Sequence, residues 1–103
     1  MDSPFGQSVL RVLTPIGVIP SSVAPGRGGS DAGPLADAGV PIFALNQDGS
    51  KYFDYHHTSD DTLDKIDRDA LSQNVAAWVT LVWLAADSNV DFRALAEAVP
   101  AKP

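Results

Sequence analysis

Both histidines of the chain, His56 and His57, stand side by side in Tyr52-Phe53-Asp54-Tyr55-His56-His57-Thr58-Ser59-Asp60-Asp61-Thr62. The same short segment holds both tyrosines and three aspartates. Neutral imidazole is the commonest protein ligand for zinc, and carboxylates complete such sites as hard oxygen donors. A metal site is therefore the chemistry this residue set can do. For His57, residue type leaves two readings: a zinc ligand, or a loop histidine bonded to a neighbouring carboxylate. No second imidazole stands at metal-ligand spacing to choose between them. His56, as its neighbour in extended backbone, would point the other way and reads as structural. Thr58-Ser59-Asp60-Asp61 fits the Ser/Thr-x-x-Asp/Glu pattern that stops a chain and opens a turn. Thr58 and Asp61 are thereby candidates for fixing where the His57 ring points, the order that a metal ligand needs around it.

Other residue groups carry less. Asp48 to Ser59 has the length of a calcium loop, but Phe53 stands where glycine is needed and Ser59 where a bidentate glutamate is needed. Gly26-Arg27-Gly28-Gly29-Ser30-Asp31 matches no phosphate-binding pattern; it reads as a turn into a helix that contains Leu35, with Asp31 as its cap. Ser30 lies in no nucleophile elbow, so a serine triad is set aside.

The elements that must position these residues follow from patterning. Ser3-Pro4 starts a helix, and Phe5, Val9, Leu10 and Leu13 follow at helical spacing until Pro15 and Gly17. Val18-Ile19 reads as a short edge strand ahead of Pro20. Ser21 to Gly33 reads as loop, and Pro34 to Ala38 as a short helix closed by Gly39. Val40 to Leu45 is a buried-strand pattern running into the Asn46-Gln47-Asp48-Gly49 loop. The histidine segment itself reads as loop, and Leu63 with Ile66 anchors one further turn. Asp67 caps a long helix over Arg68 to Ala86, with Leu71, Val75, Trp78, Val82 and Ala85 or Ala86 as its main stripe. Val79, Leu81, Trp83 and Leu84 widen that stripe, so the helix is expected to pack on two sides. A final helix is expected over Asp91 to Val99. The order is α/β, yet only one strand is convincing, and one strand makes no sheet. The chain is expected to be part of a larger α/β domain.

Composition narrows the function. The 103 residues fit one small domain, 45% apolar and 19% charged. The net charge of −6 gives no basic footprint for nucleic acid. There is no cysteine, hence no disulfide, thiolate zinc site or cysteine nucleophile. The longest apolar run, Val75 to Ala86, is too short for a transmembrane segment, which needs about 20 residues. The N-terminus has no signal-peptide pattern.

The sequence of elements Gly28-Gly29-Ser30-Asp31, Pro34-Leu35, Ala38-Gly39-Val40-Pro41, Asn46-Gln47-Asp48-Gly49, Tyr52 to Thr58 and Asp61 to Asp67 resembles the C-terminal part of the zinc-dependent exopeptidases that include bacterial leucyl aminopeptidases and carboxypeptidase Q. The resemblance covers about Phe5 to Ala86, with residues 87–103 as terminal helix and tail. His-Thr-x-x-Asp-Thr is its most specific element, and the wording before it leans toward the carboxypeptidase Q-like branch. The resemblance implies an α/β fold with a mixed central sheet and two zinc ions. It implies that His57, the histidine before threonine, is the last metal ligand in chain order. Tyr52, Tyr55 and the loop 46–49 are implied as cleft candidates for a short peptide substrate. It further implies a complete enzyme that is secreted or periplasmic.

The departures from the family pattern are as specific. Upstream of His57 there is no glutamate, so the family's Glu-Glu pair, with its general base and its ligand, is missing. Ala32 stands where many members have histidine. The chain is thus expected to be the C-terminal part of a single catalytic domain, incomplete and inactive alone, whose partner is the missing N-terminal portion. The alternative is a non-catalytic piece that self-associates, as a homo-oligomer, or docks on another chain.

Overall fold

Ser3 accepts a hydrogen bond at its side-chain oxygen from the backbone N–H of Gly6, 3.1 Å away, and helix α1 (Pro4–Leu13) starts there. The computed structural model describes residues 3–21 and 28–97, the last three by backbone alone. Helix α1 continues into a 3-10 turn at Thr14–Ile16. Gly17, at φ 85°, then reverses the chain and lets Val18 donate its N–H to the Leu13 carbonyl at 3.2 Å. Helices α2 (Gly29–Asp37), α3 (Tyr52–Tyr55), α4 (Arg68–Asp87) and α5 (Phe92–Glu97) follow, with a 3-10 turn at Leu63–Lys65 ahead of α4.

The core is the seam between α1 and α4. Phe5, Val9 and Leu13, spaced four apart, are buried against Ala77 and Leu81. Such a side chain contributes about 1.5–3 kcal/mol when fully buried. Phe5, Phe43 and Phe92 close one end as edge-to-face pairs with ring centroids 4.9–5.9 Å apart. This triangle brings the extended segment and α5 onto the helix pair. At the other end Gln73 donates from Nε2 to the Ile16 carbonyl at 2.6 Å. Asp67 caps α4 as expected, its carboxylate accepting from the Ala70 N–H at 2.7 Å. Asp91 accepts from the N–H groups of Arg93 and Ala94 and starts α5. The expected continuation of that helix to Val99 lies outside the described residues.

Several elements differ from the sequence expectation, each for a physical reason. Among the described residues there is no strand: 18–19 and 40–45 are irregular or extended. A ladder needs a second strand with free N–H and C=O groups, and the described chain offers none to residues 40–45. Helix α2 begins five residues earlier than Pro34, from Gly28 at φ 83°. A Cβ on Gly28 would lie 2.7 Å from that of Ala32, so glycine is required at this N-terminus. Asp31 accordingly sits inside the first turn of α2 and is not its cap. Gly26 and Arg27, the start of the glycine-rich stretch, lie outside the described residues.

Of the expected stripe of helix α4, only Ala85 packs against the core; the rest of it faces outward. Ala77 and Leu81 are buried and Leu84 and Ala85 pack beside them, whereas Leu71, Val75, Trp78 and Val82 are exposed. The small Ala77 is what lets α1 approach closely on that side. Hydrophobicity all round the helix masked which face does so. Among the described residues no helix is long and apolar enough to cross a membrane. The radius of gyration is 15.5 Å, above the roughly 13 Å of a compact domain of about this length.

Candidate functional site

The histidine segment is built from consecutive turns. Asp48 accepts from the Ser50 N–H at 2.9 Å, and Tyr52 donates its N–H to the Gly49 carbonyl at 3.0 Å. The Ser50 backbone N–H, and then its hydroxyl, hold the Asp48 carboxyl below its ordinary pKa. The chain then forms the single helical turn α3 where the sequence suggested loop. His56 closes it by donating its N–H to the Tyr52 carbonyl at 2.9 Å.

His57 follows in the left-handed region, at φ 58°. For a residue with a Cβ this conformation costs about 1–2 kcal/mol. Thr58 fixes it from the far side. Its N–H and its hydroxyl both donate to the Tyr55 carbonyl, at 2.9 and 2.7 Å, and its Oγ1 accepts from the Asp60 N–H at 3.2 Å. These three bonds close the backbone turn that follows His57. Asp61 contributes only a backbone N–H, to the Thr58 carbonyl at 3.3 Å. Its carboxylate does not reach back to close a capping box, because the left-handed residue before Thr58 turns the chain away from helical entry.

The two imidazoles lie together, with ring centroids 3.9 Å apart. This corrects the expectation that they point apart, which assumed extended backbone at His57. The His56 ring stacks on Tyr52 at 4.3 Å, and its Nε2 lies 3.0 Å from the Tyr52 hydroxyl. In the Nδ1-protonated tautomer the phenol donates to that nitrogen. His56 is thereby engaged. Among the described residues neither ring nitrogen of His57 has a hydrogen-bond partner, and no carboxylate holds it. His57 is exposed.

Lys65 is the residue that the sequence reading passed over. Its ammonium pairs with Asp60 at 3.2 Å and Asp64 at 3.1 Å and lies 5.9 Å from the centre of the Tyr55 ring. It offsets the charge of these two carboxylates beside the histidine turn. The signal was available as one cation set among Asp60, Asp61, Asp64 and Asp67. Tyr55 is half-buried under it. Asp31 stands apart on α2, where its carboxylate accepts from the Ser30 hydroxyl at 3.3 Å. No described hydrogen bond, ion pair or ring contact joins it to the histidines.

Zinc fits this set only as one corner. A protein zinc site takes three or four ligands, and among the described residues no three His, Asp or Glu side chains converge on one point. His57 offers a single nitrogen.

The profile of Peptidase family M28 matches residues 3–82. Carboxypeptidase Q of Mus musculus is 31% identical over 83 residues, covering 81% of this chain and 17% of its own length. Carboxypeptidase Q of Xenopus laevis is 33% identical over 79 residues, covering 77% of this chain and 16% of its own length. The chain thus spans about one-sixth of the length of these curated relatives. No solved structure matches.

Proposed function

Because the chain belongs to peptidase family M28, we propose that it is the C-terminal part of a dizinc exopeptidase domain, and that His57 is the metal ligand it supplies. At family level the chain is a peptidase piece, as its M28 profile and its similarity to carboxypeptidase Q state. The observation that carries the finer reading is the His57 ring. It is exposed and unbonded, and it is held in a strained conformation by Thr58 within the family-matching segment. Strain at a non-glycine residue persists where surrounding bonds enforce it, and such residues concentrate at functional sites.

In this reading residues 40–45 become a strand once neighbours of a mixed α/β sheet are supplied, and the loop after them places His57 at the sheet end. Zinc, bound by a full ligand set, supplies Lewis acidity toward a peptide carbonyl. This chain's own residues do the positioning. Thr58 sets the backbone angle at His57, Tyr52 engages the His56 ring, and Lys65 keeps Asp60 and Asp64 paired. Tyr55 and the loop 46–49 are the cleft candidates for a short peptide, with either aminopeptidase or dipeptidase action within the reading. The isolated chain is inactive, having neither the remaining ligands nor a glutamate before His57 to serve as base.

Mixing the chain with a polypeptide equivalent to the rest of a carboxypeptidase Q-like domain tests this. Hydrolysis of dipeptides by the mixture, and by neither part alone, is expected. Efficient turnover by the isolated chain contradicts it. A second reading, a non-catalytic piece that associates through an apolar surface, is favoured by one observation: the open face of α4.

A further inference from the structure

Thr58 fixes the backbone at His57, but a backbone angle leaves the side-chain torsions of an imidazole open. A metal-ligating histidine ordinarily has its ring fixed through its second nitrogen, which donates to a carboxylate or carbonyl. Among the described residues His57 makes no such bond. Its ring is touched instead by the His56 ring, at a centroid distance of 3.9 Å and an interplanar angle of 50°. The His56 ring is in turn held twice by Tyr52. It stacks on the phenol ring at 4.3 Å and 24°, and its Nε2 lies 3.0 Å from the phenol oxygen. Residues four apart share one face of a helical turn, and the His56 N–H closes that turn on the Tyr52 carbonyl at 2.9 Å. Phe53 stands edge-on to Tyr52 at 5.1 Å, and the Tyr52 N–H ties it back to the Gly49 carbonyl at 3.0 Å. Phe53, Tyr52, His56 and His57 thus form one continuous series of rings. The positive φ of 58° at His57 turns the last ring back onto the series.

We propose that Tyr52 is a positioning residue for the metal site: by gripping His56 at its face and its edge, it sets the torsions of the His57 ring and the direction in which that ring offers a nitrogen. This rests on the reading of His57 as a metal ligand. A stack sets direction without using either nitrogen of His57, which a hydrogen bond to the ring would not. Thr58 and Tyr52 then divide the task, one holding the backbone and the other, through His56, the side chain. The grip also assigns the tautomer of His56. The phenol O–H is the better donor and a neutral imidazole nitrogen the better acceptor, so Nε2 accepts and the proton resides on Nδ1.

Proton–nitrogen correlation spectra of the imidazoles in the full chain, recorded where both rings are neutral, test the grip. His56 is expected as the Nδ1-protonated tautomer, and the His57 ring protons are expected to be shifted by the His56 ring current. Tyr52→Phe keeps the stack and removes the hydroxyl, and should release His56 into a mixture of tautomers. Tyr52→Leu removes both, and should also return the His57 ring protons toward the positions of a free histidine. Tyr52 lies outside the α1–α4 core, so helicity by circular dichroism should be retained. Should Tyr52→Leu lose the α3 turn, the wild-type chain and Tyr52→Phe still carry the test. Zinc titration of the chain joined with the remainder of a carboxypeptidase Q-like domain tests the consequence. Tyr52→Leu should weaken zinc binding about two- to tenfold, the scale of one aromatic pair, with both ions still bound. Tyr52→Phe should fall between it and the wild type. Three results overturn the proposal: mixed tautomers at His56 in the wild-type chain, His57 ring signals unmoved by Tyr52→Leu, or zinc affinity unchanged by Tyr52→Leu while His57→Ala lowers it. Undiminished zinc binding in His57→Ala is a different failure. It removes the ligand reading, and the ring spectra of the chain alone then still decide whether Tyr52 orders the histidine pair.

Discussion

The Thr58 hydroxyl donates to the Tyr55 carbonyl at 2.7 Å, spanning His57, the only non-glycine residue at positive φ among those described. The bond holds the imidazole at one backbone angle without touching its ring. Thr58→Val removes the donor and keeps the shape, and should cost about 0.5–1.5 kcal/mol of local stability. Thr58→Ser should retain most of it. Amide hydrogen exchange at Thr58 and Asp60 reports the difference; unchanged exchange in Thr58→Val contradicts the role given to the hydroxyl.

His57→Gly separates stability from function at one position. Glycine adopts the left-handed region without the roughly 1–2 kcal/mol that a Cβ costs, offset in part by the greater freedom of the unfolded chain. The variant should be at least as stable as the wild type in urea unfolding, by up to about 1 kcal/mol. It should nonetheless lose the metal contribution of the ring in a completed domain. Destabilisation by more than about 1 kcal/mol would mean that the ring holds the turn by packing, against its exposed position.

Capping and spacing made the helices legible in the sequence. Ser3-Pro4 and Asp67 were read as starts and serve as starts, because a side-chain oxygen three residues before an unpaired N–H is a local signal. The face of α4 was not legible. A helix apolar on all sides leaves the choice to its partner, and here Ala77 wins because it admits α1 at short range. The orientation of His56 was misread for a similar reason. One residue in the left-handed region at His57 abolishes side-chain alternation, and nothing in the histidine pair announces that. Lys65 was overlooked because its role depends on the chain folding back over Asp60 and Tyr55.

The helix pair should fail at Leu13. It is 2% exposed and lies at the α1–α4 seam, so Leu13→Ala should cost about 2–5 kcal/mol through lost burial and a residual cavity. For a domain with so few buried side chains that is a large share of the total, and loss of the cooperative thermal transition is expected. A shift of only a degree or two would show that the seam is not the core.

Acid should loosen the turns before the helices. The Ser50 N–H and hydroxyl depress the Asp48 pKa, and the Thr62 hydroxyl followed by the Lys65 ammonium depresses that of Asp64. The folded chain then binds these protons less tightly than the unfolded chain. Their contribution is complete above the ordinary value of 3.8 and disappears as pH falls through the lower folded values. Asp64, then Asp60, raise the Lys65 pKa above 10.5, so its contribution is complete below that value and fades as pH rises through the folded one. The buried core of Phe5, Val9, Leu13, Ala77 and Leu81 carries no titratable group. Residue-resolved amide shifts below pH 3.8 should move at 48–50 and 60–65 while α1 and α4 hold. Asp64→Asn should remove the 60–65 step alone.

The most direct measurement of the central claim is zinc stoichiometry, by equilibrium dialysis, of this chain joined with the remainder of a carboxypeptidase Q-like domain. Two zinc ions per complex are predicted with His57 present. One ion fewer, or binding at least tenfold weaker, is predicted with His57→Ala, while His56→Ala keeps both ions. Full zinc occupancy and undiminished hydrolysis in His57→Ala would contradict the assignment.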